Sequence, residues 1–99
     1  MIYSFDIDGT LCSKDHEDYR DAKPFLDRIK IVNKLYDEGN RIILFTARGA
    51  ATGIDWKDFT KKQVEDWGLK YHELKFGKPH ADVFIDDKAK DLFNWFNQD

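Results

Sequence analysis

Phe5-Asp6-Ile7-Asp8-Gly9-Thr10 decides how this chain is read. Two carboxylates stand two residues apart at the end of an apolar run (Ile2, Tyr3, Phe5, Ile7), and a glycine follows at once. Such a run reads as a strand, Ile2 to Ile7, that brings acidic side chains to its carboxyl end and then turns. In an unbroken strand, residues two apart share a face. A turn beginning at Asp8 instead lets the two carboxylates approach one point from different directions.

Outward from that stretch, polar residues recur after strand-like segments. Ile42 to Phe45 is a short continuous apolar run, suited to a strand buried on both faces, and it leads into Thr46-Ala47-Arg48. Tyr71 to Leu74 reads as a further short strand, followed by a loop bearing Phe76-Gly77-Lys78-Pro79. Val83 to Ile85 reads as the last strand and leads into Asp86-Asp87.

Between these segments the spacing becomes helical. Pro24 suits the first turn of a helix carrying Phe25, Leu26, Ile29, Val32, Leu35 and Tyr36, with Gly39 as its C-terminal cap. Asp55 suits the cap of a second helix that turns Trp56, Phe59, Val64 and Trp67 toward the core and closes at Gly68. A last helix carries Ala89, Leu92, Phe93 and Phe96 on one face. Strands alternating with helices predict an α/β fold, a parallel sheet with right-handed crossovers and helices on both faces. Ligands of such sheets bind at the carboxyl ends of the strands, where strand order reverses. The polar residues above fall at those ends, with Lys78 arriving on a loop.

Ninety-nine residues make one domain, 1–99, and 41% hydrophobic with 15% aromatic content lets Phe and Trp fill much of its core. A net charge of −3 with 35% charged residues gives no broad basic surface, so binding to nucleic acid or an acidic membrane is not favoured. No apolar stretch approaches membrane-spanning length and the N-terminus has no signal-peptide pattern, which makes the cytoplasm the expected location. Cys12 is the single cysteine, which excludes an internal disulfide or a cysteine-based zinc site, and it reads as an ordinary small thiol. His16, His72 and His80 share no metal-ligand spacing and read as structural or exposed.

The acidic, hydroxyl and basic groups suit one chemistry. A phosphate monoester is a dense negative charge, and its cleavage needs neutralisation and positioning. Mg²⁺ suits the task because it takes oxygen ligands and needs only one or two protein carboxylates; Asp6, Asp86 and Asp87 are candidates. Lys78 offers a point charge, Thr46 a hydroxyl donor, Gly9 a close backbone approach to the anion, and Arg48 either a substrate contact or a surface ion pair. Asp6 is placed to attack phosphorus, and Asp8 to protonate the leaving alkoxide and then take a proton from water.

Taken in order, Asp6-Ile7-Asp8-Gly9-Thr10, Thr46, Lys78 and Asp86-Asp87 resemble the four motifs of the haloacid dehalogenase superfamily of phosphohydrolases. The resemblance spans nearly the whole chain. It implies a three-layer Rossmann-like parallel sheet flanked by helices, reduced to a minimal core without a cap domain. It also implies that Asp6 is nucleophile and Mg²⁺ ligand, and that Asp8 is the acid/base and offers its backbone carbonyl to the metal. Thr46 and Lys78 would hold the phosphoryl group, and Asp86 would complete the metal site with Asp87 as a ligand or supporting partner.

The strings Phe45-Thr46-Ala47-Arg48-Gly49, Gly77-Lys78-Pro79 and Ile85-Asp86-Asp87-Lys88-Ala89 are further similar to small phosphatases of bacterial capsule and surface-polysaccharide synthesis. The substrate expected on that basis is a phosphorylated small molecule or glycan, with a second copy of the chain as one way to cover an open site. Two readings from other classes stand beside it. A signalling receiver domain also uses an acidic cluster, Thr and Lys, but places its acceptor on a middle strand. A scaffold that binds phosphates without turnover is the other, and no catalytic position is missing that would favour it. Hydrolysis and transfer to another acceptor share their first half-reaction.

Overall fold

The structure, a computed structural model, describes residues 1–14, 18–77, 83–85 and 95–96. Its frame is a four-stranded parallel sheet: β1 (Ile2–Asp6), β2 (Arg41–Thr46), β3 (Glu73–Phe76) and β4 (Val83–Ile85), in the order β3-β2-β1-β4. Helix α1 (Leu26–Asp37) joins β1 to β2, and α2 (Lys57–Asp66) joins β2 to β3. Both crossovers step in the same direction, so right-handed connection puts both helices on one face. Asn33 of α1 ties them together, donating to the Gly68 carbonyl and accepting from the Lys70 amide.

The register pairs Phe5 with Leu44 and with Ile85, so these three side chains share the helix-covered face. They join Ile42, Ile29, Val32 and Val64 in the core, and Phe96 packs against Phe5 at 6.2 Å between ring centroids. The alternate residues Ser4, Ile43 and Phe45 are also buried. A sheet buried on both faces explains the continuous apolar run of β2. The fold is therefore α/β, a small Rossmann-like parallel sheet with helices packed against it, as the strand–helix alternation predicts, although α1 and α2 share one face where helices were expected on both.

Both helices end as expected. At Gly39 (φ +92°) the amide reaches the Tyr36 carbonyl while the Asn40 amide reaches that of Leu35, and Gly68 repeats the pattern with Glu65 and Val64. Three boundaries and the inward face of α2 differ from expectation. Pro24 lies before α1 in an antiparallel bridge with Cys12, because Ser13 and Phe25 donate to the Lys23 and Leu11 carbonyls and keep this stretch extended. Leu26 is consequently exposed. Asp55 caps α2 from one residue further out, accepting from the Lys57 amide at 2.9 Å. On α2 the buried residues are Thr60 and Val64, while Trp56 and Phe59 meet edge to face outside the core. Finally, β3 begins two residues late, because His72 places both its amide and its ring Nδ1 on the backbone of Ile42. The expected last helix falls outside the described residues apart from helical Trp95 and Phe96.

Candidate active site

Asp6 is the last residue of β1, and β1 lies between β2 and β4, where the strand order reverses. That is the switch point at which open α/β sheets bind ligands. Immediately afterwards the chain turns about one atom: the Ile7 carbonyl accepts from the amides of Thr10, Leu11 and Cys12. Gly9 takes φ +86° inside this turn, a conformation that side chains with a Cβ disfavour. The Asp6 carboxylate is fixed in turn, with Oδ1 accepting from the Ile7 amide at 2.9 Å. The expected turn at Asp8 is thus present, and it lets the two carboxylates leave the shared strand face.

Asp8 faces the end of the neighbouring strand. Its Oδ2 accepts from the Thr46 hydroxyl at 3.3 Å, and its two oxygens meet the guanidinium of Arg48 through Nη2 at 2.8 Å and Nε at 3.0 Å. Thr46 Oγ1 also accepts from the Arg48 amide, which locks the bend after β2. The first two motifs, 38 residues apart in sequence, therefore meet in one polar cluster.

Arg48 corrects both expectations held for it. Its side chain is fully buried, so the pair with Asp8 is no surface ion pair. Nor is the guanidinium turned toward an incoming anion: Nη1 donates to Thr60 Oγ1 at 3.2 Å and Gln63 Oε1 at 2.7 Å, and Tyr19 lies 4.5 Å from the guanidinium carbon. The Gly9 amide donates to the Cys12 carbonyl at 2.9 Å and so helps to build the turn. Lys78, Asp86 and Asp87 lie outside the described residues, as do His16 and His80.

Tyr19, Thr60 and Gln63 went unnoticed in the sequence. Thr60 and Val64 stand four apart on one helical face, and that spacing marks Thr60 as inward-facing. Tyr19 carried no periodic signal, because it sits in a 3-10 turn (Tyr19–Asp21) pinned by Gln63 Nε2 on its carbonyl at 2.7 Å. Leu11, Cys12 and Ala22, on either side of the polar residues that follow β1, are core residues. Burial pushes the Cys12 thiol up to about 12, and the charge of Asp8 beside it adds to the effect. Such a thiol is inert, in agreement with the ordinary role expected for it.

The Asp6 and Asp8 oxygens are donors of the kind a hard cation takes. Among the described residues no group of three or more His, Cys, Asp or Glu side chains is placed to hold a metal ion. Beside Thr46 the strand ends open into a hollow lined by Ala47, Ala50, Ile54, Trp56 and Phe76, with Asp55 and Lys57 on its border. Ile54 and Phe76 are exposed there. Among the described residues no helix is long and apolar enough to cross a membrane.

No family model matches the chain, and no curated protein matches it. Among solved structures it is similar to the crystal structure of an MCSG target from Vibrio cholerae, at 26% identity and a TM-score of 0.79, covering 100% of this chain and 90% of that one. The likeness runs through the entire chain and establishes its small α/β, Rossmann-like architecture.

Proposed function

We propose that this chain is a Mg²⁺-dependent phosphatase, which hydrolyses a phosphate monoester through an aspartyl-phosphate on Asp6. One observation carries the reading: Asp6 ends β1 at the switch point, while Asp8 joins Thr46 and Arg48 from the adjacent strand end. Asp6 attacks phosphorus, the bond to the leaving oxygen breaks, and Asp8 gives that oxygen a proton. Water then attacks the same phosphorus, Asp8 takes the proton back, and the bond to Asp6 breaks to release inorganic phosphate. The Ile7 amide orients the attacking carboxylate, and Thr46 hands its hydroxyl hydrogen bond to a phosphoryl oxygen.

The donor set fits the cation, because Mg²⁺ keeps most of its waters and needs few carboxylates. Asp6, the Asp8 backbone carbonyl, and Asp86 with Asp87 are the groups proposed to hold it. When bound, it neutralises the charge that builds on the phosphoryl oxygens. Lys78 is proposed to add a further positive charge there, and the protein to work in the cytoplasm.

Sheet order counts against the receiver reading. Receivers have the flavodoxin-like order 2-1-3-4-5, with β1 between β2 and β3, whereas here β2 lies between β1 and β3. The substrate proposed is a sugar phosphate or an intermediate of surface-polysaccharide synthesis. A panel of phosphate monoesters with Mg²⁺, sugar phosphates and nucleotides included, read as free phosphate, tests the reading. Release that stops with a chelator and returns with Mg²⁺ supports it; no release from any ester contradicts it.

A further inference from the structure

Arg48 holds a charge with no solvent exposure of its side chain, a costly placement unless every donor is matched. Its four partners come from three places: Asp8 after β1, Thr60 and Gln63 on α2, and the Tyr19 ring on the covering turn. Gln63 bonds both the guanidinium and the Tyr19 carbonyl, which closes the network. The face of an aromatic ring against a guanidinium adds attraction in a desolvated setting. Pairing Asp8 through Nε and Nη2 matches the planar fork to the carboxylate and leaves Nη1 for the helix.

We infer that Arg48 is a positioning residue that sets the orientation of the Asp8 carboxylate and links it to the covering turn at Tyr19. The inference rests on Asp8 being the acid/base of the proposed reaction. Two oxygens held by one planar group leave the Asp8 side chain little freedom to rotate. The acid must meet a leaving oxygen within hydrogen-bond reach, so orientation bears on the rate. Esters whose leaving groups depart unaided need this least.

The experiment compares Arg48→Met, Arg48→Lys, Asp8→Asn and the double variant Asp8→Asn/Arg48→Met on p-nitrophenyl phosphate and on an alkyl phosphate with Mg²⁺. Arg48→Lys keeps the buried charge but loses the fork, so it provides a folded protein if the Met variant fails. Both Arg48 variants are expected to lose about tenfold more kcat on the alkyl ester than on the nitrophenyl ester, Lys less than Met. The double variant is expected to match Asp8→Asn alone, because the two residues act as a unit. Equal losses on the two esters, or losses that multiply in the double variant, would overturn the inference. A wild-type protein inert on every ester would instead defeat the phosphatase reading. The pair is then judged by urea unfolding of the same variants: about tenfold coupling in the unfolding constant supports it, and less than about twofold overturns it.

Discussion

Asp6→Asn keeps the shape of the side chain and its acceptor for the Ile7 amide while removing the charge proposed to attack phosphorus. Turnover is expected to fall by about ten-thousandfold or more, with unchanged thermal unfolding. Folded Asp6→Asn protein working at the wild-type rate would rule out the covalent route. Asp8→Asn is expected to cost esters of ordinary alcohols about a hundred- to ten-thousandfold and p-nitrophenyl phosphate much less. Steady-state kinetics on the two substrates separates these outcomes. At this scale the sequence was legible for Asp6, Asp8 and Thr46, because each follows an apolar run that could only be a strand. Arg48 was not, since the same guanidinium serves equally as substrate contact, surface pair or buried clamp. Only the fold brings Tyr19, Thr60 and Gln63 around it, from 29 residues before to 15 after.

Elements carry their own tests. Gly49 has φ +83°, and a Cβ there would run into the Ile54 carbonyl oxygen, so the loop after β2 depends on that glycine. Gly49→Ala is expected to cost about 1–3 kcal/mol in urea unfolding and to disturb the hollow beside Thr46. In the turn after β1, Cys12 titrates near 12 instead of 9.0 because burial opposes its thiolate. Its proton is held more tightly in the folded state, so its contribution to stability is complete below pH 9 and is lost as pH climbs toward 12. The stability of Cys12→Ala is expected to fall less steeply than that of wild type over that window. Tyr71, also raised to about 12 by burial and its bond to Glu65, leaves a residual slope above pH 10. At pH 8 a thiol reagent is expected to label Cys12 only after denaturation. Among the described residues, the type of each strand and of both α-helices was readable from period and punctuation. Boundaries slipped where tertiary bonds overrode local preference, as at Pro24, whose neighbours pair with the Leu11–Ser13 segment, and at His72, which bonds Ile42 before β3 begins.

For the whole molecule, strand order is what gathers the residues, and it was only partly open to sequence. Alternating strands and helices announced a parallel sheet, yet nothing local says that β4 returns to the far side of β1. Among the described residues, the cover over the strand ends is the 3-10 turn at Tyr19 and the loop from Gly49 to Asp55. A site covered so lightly is expected to admit the end of a bulky substrate, or to borrow its cover from a second copy of the chain. Specificity constants over a size series are therefore expected to favour a phosphate carried on a larger glycan or nucleotide-linked molecule. A sharp preference for the smallest ester in a monomeric protein would reject this account of access.

In the proposed reaction Asp6 carries the phosphoryl group. Asp8→Asn protein, slowed in releasing that group, is mixed with p-nitrophenyl phosphate and Mg²⁺, quenched in acid and digested for mass spectrometry. The account predicts a peptide bearing Asp6 heavier by one phosphoryl group, absent from Asp6→Asn/Asp8→Asn protein. Release of p-nitrophenol by the active protein with no such adduct on that peptide, or an adduct on another residue, would contradict it.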